Sequence, residues 1–225
     1  MLKKLLLVFI CVSALPLFAH TGGIVFFGGG NWTPINIMAV PVISLVAPDN
    51  TDVYGLFFAP GFGWCESVYG VNLGIATLTM KKSYGVSAAV GSLIRENNGA
   101  AIGIFHMDYD NNGLAAGIFN LGVRNNRVKL GIVNLFEDNA GICIGVLNCK
   151  AFPKKAEALS GTSVGIVNIS KKNTFQLGIY NQAQGGLQIG LLNHNPNALI
   201  PWMPFFNWST PNTSPKKVKI IELSK

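Results

Sequence analysis

An eight-residue motif occurs nine times between Gly70 and Asn193 and dominates the sequence. Its clearest copy, at residues 186–193, reads Gly-Leu-Gln-Ile-Gly-Leu-Leu-Asn. Successive copies most often start 14 residues apart, with extremes of 12 and 20. The nine copies begin at Gly70, Gly85, Gly99, Gly113, Arg127, Gly141, Gly161, Thr174 and Gly186. A tandem repeat of this kind indicates that one supersecondary unit is used again and again, which restricts the fold more than any other feature does.

The alternation of side chains within the motif predicts a β-strand. Positions 2, 4 and 6 carry large apolar residues, as Leu187, Ile189 and Leu191 do in the last copy, whereas positions 1 and 5 are usually glycine. Alternate residues of a strand point to opposite faces, so one face becomes apolar and the other small or polar. In a helix, each glycine would cost about 1 kcal/mol relative to alanine. We therefore predict one strand per motif, with its apolar face hidden from water.

Two arrangements of these strands are compatible with the repeat. In a parallel β-solenoid, each repeat would form one rung, and the asparagines found at position 8 of six copies would stack into a ladder. In an antiparallel meander, the same asparagines would start tight turns between neighbouring strands. Most segments between motifs have only four to six residues and are polar, which favours turns. We predict an all-β, antiparallel up-and-down meander of about twelve short strands closed into a barrel, with a parallel β-solenoid or a two-layer sheet as alternatives.

The two ends of the chain differ in character from the repeats. Lys3 and Lys4, a short apolar run and a cleavage sequence ending at Ala19 predict a secretory signal peptide over residues 1–19. We expect a single repeat-built β domain over residues 20–208 and a polar, basic tail over residues 209–225. Without the signal peptide the chain has 15 basic and 10 acidic residues, a net charge of +5. No basic stripe alternates with aromatic residues across the repeats, so we expect no nucleic-acid partner.

The sequence contains no pattern typical of a catalytic, cofactor or metal site. His20, His106 and His194 do not fall in a metal-binding spacing, and His106 occupies an asparagine position of the motif. Asp108 and Asp110 resemble the start of a calcium loop, but the required glycine and distal glutamate are missing. The other acidic residues are scattered over the connectors. We therefore predict no catalytic residues, no cofactor and no metal, and we expect that the protein is not an enzyme.

Three cysteines remain after removal of the signal peptide, at Cys65, Cys143 and Cys149. An odd number does not form a complete disulfide framework. Cys143 and Cys149 are six residues apart on one predicted strand, or about 20 Å, which is too far for a bond between them. We expect Cys143 and Cys149 to be small core-like residues and not a metal or redox pair.

Three features occur in an order that resembles a family of bacterial surface-repeat proteins named from a leptospiral surface protein. They are the segment Pro41-Val-Ile-Ser-Leu45 followed by Asp52-Val-Tyr-Gly-Leu56, the run of Gly-Leu-Gln-Ile-Gly-Leu-x-Asn motifs, and the closing segment Leu199-Ile-Pro-Trp-Met-Pro-Phe-Phe-Asn-Trp208. The resemblance covers about residues 36–208; Arg127 and Thr174 depart from it by replacing the first glycine, and residues 149–160 form an insertion. It implies a location in the cell envelope or on the surface, and it supplies no catalytic residues.

These observations predict a noncatalytic protein of the bacterial cell envelope or surface, structural or adhesive. One form of this prediction is a small outer-membrane β-barrel, because a tilted strand of about 10 residues crosses a bilayer. The predicted location is exported, at the outer membrane or cell surface, with the periplasm as the alternative. The alternative function is a soluble secreted β-domain that binds a saccharide or other ligand on its glycine-rich face, since position 5 is glycine in eight of nine copies. The barrel's interfacial aromatics would be Tyr54, Tyr69, Tyr84, Tyr180, Trp202 and Trp208.

Overall fold

The computed structural model describes residues 24–27, 32–40, 43–46, 51–150, 161–170 and 173–210. The predicted signal peptide and residues 211–225 of the predicted tail lie outside these ranges. The chain divides into two compact units, the first comprising residues 1–109 and 113–116 and the second comprising residues 110–112 and 117–225. Within the described ranges, no helix is long and apolar enough to cross a membrane.

The described residues are all-β, as predicted, and contain fourteen strands. The first unit contains β1 (Ile24–Phe27), β2 (Trp32–Val40), β3 (Ile43–Val46), β4 (Asp52–Cys65), β5 (Ser67–Asn97) and most of β6 (Ala100–Asn111). The boundary between the units falls within β7 (Leu114–Asn125). The second unit continues with β8 (Val128–Asn139), β9 (Ile142–Lys150), β10 (Gly161–Ile169), β11 (Asn173–Leu177), β12 (Tyr180–Gln182), β13 (Gly186–His194) and β14 (Trp202–Ser209).

The strands that carry the motif pair in parallel, one repeat apart. Val128 lies beside Ile142, Gly131 beside Gly145, and Asn134 beside Asn148. In the first unit, β4 and β5 pair in the same way with an offset of 14 or 15 residues. The described strands therefore form a β-solenoid of about nine turns. The predicted antiparallel meander and its closure into a barrel are wrong, and the solenoid alternative is the one found.

The polar connectors were misinterpreted because the strands continue through them. β6, β7 and β8 are each 12 residues long, so extended structure covers most of a 14-residue repeat. Two-residue bends at 112–113, 126–127 and 140–141 separate these strands from their neighbours. At two motif starts, Gly85 and Gly186, φ is +108° and +83°. Such values cost glycine little because it has no Cβ. A rung of the solenoid can therefore close on itself without a long segment that brings the chain back to its starting edge.

Antiparallel pairing occurs near both ends of the described chain. In the first unit β2 pairs antiparallel with β3, and in the second unit β14 pairs antiparallel with β13. The β14 pairing places Trp208 beside Leu187 and Phe206 beside Ile189. A reversed last strand ends the parallel stacking, which limits edge-to-edge addition of further strands.

The second unit has a polar interior and an apolar exterior. Motif positions 3 and 8 point inward, as fully buried Cys143 and Asn148 do in the sixth copy. Positions 2, 4 and 6 point outward, and Ile142, Ile144 and Val146 are 42%, 44% and 45% exposed. The apolar face of the motif therefore lies outside the packing of the chain itself in this unit, and its cover by lipid or by another protein stays a prediction. We call the side chains at positions 2, 4 and 6 of the second unit, together with the outward side chains of β14, the outer apolar face.

The first unit contains an apolar core at its N-terminal end, where the motif has not yet begun. Large side chains of β2 and β4, such as Met38 and Phe57, are fully buried there. The buried members of this cluster are Met38, Val53, Phe57, Ala59, Trp64, Cys65, Val68 and Leu78. Apolar burial of this kind stabilises the start of the solenoid in the ordinary way.

Candidate functional site

The interior of the second unit is occupied by a ladder of buried asparagines at motif position 8. Along the ladder, each Nδ2 donates to the Oδ1 of the next asparagine at 2.8–2.9 Å. Each Nδ2 also donates to a backbone carbonyl, for example from Asn148 to Val164 at 3.0 Å. The ladder consists of Asn120, Asn134, Asn148, Asn168, Asn181 and Asn193, all fully buried. These asparagines therefore stabilise the stacking of rungs, and the prediction that they start turns is wrong.

Further amides repeat this arrangement at other inward positions of the second unit. Asn111 donates to Asn125, and Asn125 to Asn139, both at 2.8 Å. Gln188 Nε2 donates to Gln176 Oε1 at 3.0 Å. Identical amides stack well because neighbouring strands of a sheet are about 4.8 Å apart, which suits amide-to-amide hydrogen bonds. The interior amides are thus engaged with one another and act as structural groups.

The first unit contains a buried serine–histidine–aspartate chain. The Ser92 hydroxyl lies 2.6 Å from His106 Nδ1, and Asp108 Oδ2 lies 3.1 Å from His106 Nε2. These residue types form the nucleophilic triad of many hydrolases. Here, however, they are 6%, 1% and 2% exposed, so a substrate has no access to the hydroxyl. We interpret these three hydrogen-bonded side chains as a polar link within the interior. In this link His106 occupies motif position 8, where most copies have asparagine.

Asp108 and Asp110, which resemble the start of a calcium loop in the sequence, already contact other side chains. Asp108 belongs to the buried chain of the first unit, and Asp110 accepts a hydrogen bond from Arg124 Nη2 at 2.6 Å. Asp138 lies 3.5 Å from Lys150 Nζ. Among the described residues, no group of three or more His, Cys, Asp or Glu side chains is placed to hold a metal ion.

The three described cysteines are free thiols. Cys65 and Cys143 are buried, and Cys149 is half-buried. Burial raises the pKa of the Cys65 thiol to about 12, with a smaller rise from nearby Asp52 that a hydrogen bond with Thr79 opposes. Burial also raises the pKa of Cys149. A thiol with a raised pKa is a poor nucleophile at neutral pH, so these side chains are suited to packing.

A shallow groove of about 660 Å³ runs along the outer apolar face of the second unit. Its floor is the column of position 5 glycines, Gly145, Gly165, Gly178 and Gly190. Aliphatic side chains at positions 4 and 6 form its two walls, and Phe205 also lines it. A Cβ at Gly165 would overlap the carbonyl oxygen of Gly145, so glycine is required there for close stacking of the rungs. The backbone of the glycine column is therefore the floor of an apolar groove, whereas the glycine side of each strand faces the buried asparagines.

Aromatic side chains replace aliphatic ones in β14, at the end of the outer apolar face. Trp208 continues the column of position 2, and Phe206 continues the column of position 4. Between them Asn207 is buried and donates to the carbonyls of Ile200 and Pro201 at 3.1 and 3.2 Å. The strand thus keeps the alternation of the motif while presenting larger rings to solvent.

The first unit presents a separate row of aromatic rings. Tyr54 stacks on Tyr69 with ring centroids 4.6 Å apart, and Tyr69 stacks on Tyr84 at 5.2 Å. Trp32 meets Tyr54 edge-on at 6.2 Å. Because the tyrosine rings cover one another's faces, this row mainly exposes ring edges and offers little flat surface for a ligand to stack on.

No protein-family model, curated protein or solved structure matches this chain. The candidate functional region therefore rests on geometry and chemistry. The candidate is the outer apolar face, with its glycine-floored groove and aromatic last strand, because its side chains do not serve the interior packing of the second unit. The sequence singled out the glycine column and six aromatic residues. Of these aromatics, Trp202 and Trp208 lie on β14, beside the strand of Gly190, whereas Tyr54, Tyr69 and Tyr84 lie in the first unit. The strand pairing that decides this cannot be obtained from the sequence alone.

Proposed function

We propose that this chain is a noncatalytic protein of the bacterial cell envelope or surface, exported by its N-terminal segment, with a structural or adhesive role. It acts through its outer surface and not through a reaction centre. The resemblance to the surface-repeat family supports this proposal, as does the signal-peptide pattern of residues 1–19.

The observation that carries the proposal is the reversal of polarity in the second unit. Buried amides occupy the interior, whereas aliphatic side chains such as Ile166 and Ile179 are 46% and 52% exposed. Soluble monomers rarely expose continuous apolar patches larger than a few hundred Å², and larger patches mark contacts with proteins or membranes. A protein built in this way works against a second surface.

Cell fractionation combined with protease treatment tests the location. The full chain is produced with its signal peptide in a bacterium that has two membranes, next to a matched chain that lacks residues 1–19. We expect the full chain in the envelope fraction and cleaved when intact cells are treated with protease, while the shortened chain stays protected in the cytoplasm. Recovery of the full chain in the cytoplasmic fraction, uncleaved, would refute the proposal.

The groove favours a second candidate, a soluble secreted domain that binds a ligand on its glycine-rich face. Its walls are aliphatic, which suits an apolar chain better than a saccharide. Calorimetric titration with lauric acid separates the candidates. Saturable binding that is lost in Val146→Glu, together with recovery of the protein from the aqueous periplasm, would favour the ligand-binding domain over the envelope protein.

A further inference from the structure

We infer that β14 attaches this protein to an anionic lipid bilayer, whose charge attracts the lysines that follow this strand in the sequence. This inference rests on the envelope location proposed above and names the surface that the protein contacts. It is carried by the exposure of the aromatic strand, by the absence of charge around it, and by the charges that follow it in the sequence.

Large apolar side chains concentrate at the C-terminal end of the described chain. Trp202, Phe205, Phe206 and Trp208 are 50%, 69%, 55% and 64% exposed. Leu199 and Ile200, in the turn before the strand, are 99% and 54% exposed. Tryptophan together with phenylalanine and leucine is the composition that inserts into the boundary between lipid headgroups and acyl chains.

The strand holds these rings in place. Asn207 anchors its inward side, the backbone pairs with β13, and Trp202 stacks on His194 with centroids 4.1 Å apart. Phe205 has a φ of +66°, which is unusual for a bulky residue and turns its ring toward the groove. Strained backbone of this kind concentrates at functional positions. Because the rings are already ordered, inserting them into lipid costs little further entropy.

The sequence around β14 carries no charge that lipid contact would have to desolvate. No Lys, Arg, Asp or Glu occurs in residues 173–215, a span of 43 residues. The only histidine in that span is His194, whose ring is covered by Trp202. Burying an unpaired charge in an apolar medium is costly, so a charge-free span favours insertion.

Positive charge begins directly after this span. Residues 216–225 contain Lys216, Lys217, Lys219 and Lys225 against a single acidic residue, Glu222. Lysines close to an anionic bilayer each contribute about 1 kcal/mol of attraction. One hydrophobic anchor gives only weak, reversible binding, whereas an anchor combined with a basic segment gives stable attachment. The charge therefore selects an anionic lipid surface over a second copy of this basic chain.

Vesicle binding by the mature chain, residues 20–225, tests the inference. Sedimentation is compared for phosphatidylcholine vesicles with and without phosphatidylglycerol. The aromatic variant is F206T/W208T, and Trp32→Thr is its matched control because Trp32 is 63% exposed in the first unit. The charge variant is K216Q/K217Q/K219Q. Circular dichroism and thermal melting verify that each variant is folded.

We expect the mature chain to bind the anionic vesicles more tightly than the neutral ones, and high salt to remove the difference. The charge variant should bind the anionic vesicles roughly 100-fold more weakly, from about 1 kcal/mol per lysine. The aromatic variant should bind the anionic vesicles roughly tenfold more weakly for each ring removed, because each ring contributes burial energy. Trp32→Thr should bind as tightly as the parent chain.

Equal binding to both vesicle types, absence of binding, or an equal loss in Trp32→Thr would overturn the inference. Self-association of the purified chain through β14 would also overturn it. This would be seen if the parent chain sediments as an oligomer and the aromatic variant sediments as a smaller species. If that variant does not fold, quenching of tryptophan fluorescence by brominated lipid replaces it: quenching in the folded Trp32→Phe chain supports insertion, and its absence contradicts it. A chain that binds vesicles but remains cytoplasmic in cells would refute the envelope function alone.

Discussion

The Asn148 side chain makes three hydrogen bonds inside the second unit. It donates to Val164 O at 3.0 Å and to Asn168 Oδ1 at 2.8 Å, and it accepts from Asn134 Nδ2 at 2.8 Å. Asn148→Ala would leave buried amide groups of its neighbours without a partner, so we expect a loss of about 2–3 kcal/mol in the free energy of unfolding. Urea denaturation measures it.

Asn126 provides the control for that substitution. It also bonds an asparagine one repeat away, Asn112 Oδ1 at 2.6 Å, but it lies at the surface where water can replace the partner. Asn126→Ala should change the unfolding free energy by less than about 0.5 kcal/mol. Equal effects of the two substitutions would show that the buried ladder does not stabilise the stacking.

The raised pKa of Cys65 predicts that the free energy of unfolding falls at alkaline pH. Its pKa is about 12 in the folded chain against an ordinary value of 9.0, because burial disfavours the thiolate. Between these values the unfolded chain holds fewer protons, so stability falls as pH rises through this range, by up to about 1.4 kcal/mol per pH unit. Cys65→Ala lacks this term, so its deficit in unfolding free energy should shrink between about pH 8 and 11. A deficit that stays constant with pH would contradict the assignment.

At the residue scale, the sequence reveals which positions repeat but not which residues of different repeats are in contact. Asparagine at position 8 was recognised as a repeated feature, and its ladder was expected only for the solenoid alternative. The contact of Ser92 with His106 joins residues 14 positions apart, which become neighbours only when repeats stack in parallel. Without the register, neither composition nor local spacing could reveal the buried Ser92–His106–Asp108 chain.

At the scale of the strand, glycine at position 5 allows the rungs of the second unit to stack closely. At Gly165 a methyl group would overlap the Gly145 carbonyl oxygen and crowd Asn148 Nδ2, whereas at Gly91 a Cβ would meet nothing within 4 Å. We expect Gly165→Ala to destabilise the fold by about 1–3 kcal/mol. Gly91→Ala should be neutral or stabilising by up to about 1 kcal/mol, since it restricts the unfolded chain. Thermal melting of both variants measures this, and a stable Gly165→Ala chain would argue against close stacking.

The sequence predicted that strands exist but not where they end. The connectors, such as Arg124–Asn126, contain residues that usually form turns, yet Asn125 is buried and bonds the next rung. In this connector Asn125 belongs to the polar interior, whereas Arg124 and Asn126 are exposed. A polar connector therefore does not by itself mark a turn. Strand direction was wrong for the same reason, because a turn at each connector would have reversed the chain.

At the scale of the whole chain, alternation identifies two faces of a strand but does not say which one is inside. The usual rule buries the apolar face. In the second unit a narrow rung accommodates glycine, cysteine and stacked amides, and the amides satisfy one another from rung to rung. The larger aliphatic side chains then remain outside, where they form the surface to which we assign the function.

Disulfide trapping between repeats tests the parallel solenoid most directly. Val128 lies beside Ile142 in the parallel register, and neighbouring strands bring Cα atoms to about 4.8 Å, within the range of a disulfide. In an antiparallel hairpin with its turn at Glu137–Asn139, Lys129 would instead lie opposite Leu147, and residues 128 and 142 would be about 20 Å apart. One chain carries V128C/I142C and the other carries K129C/L147C. In both chains Cys65, Cys143 and Cys149 are changed to alanine.

Mild oxidation of the two folded chains, followed by mass spectrometry of the linked peptides, gives the result. The parallel solenoid predicts a rapid, nearly complete bond between positions 128 and 142, and none between positions 129 and 147, because position 129 lies beside position 143. A bond between positions 129 and 147, with none between positions 128 and 142, would contradict it.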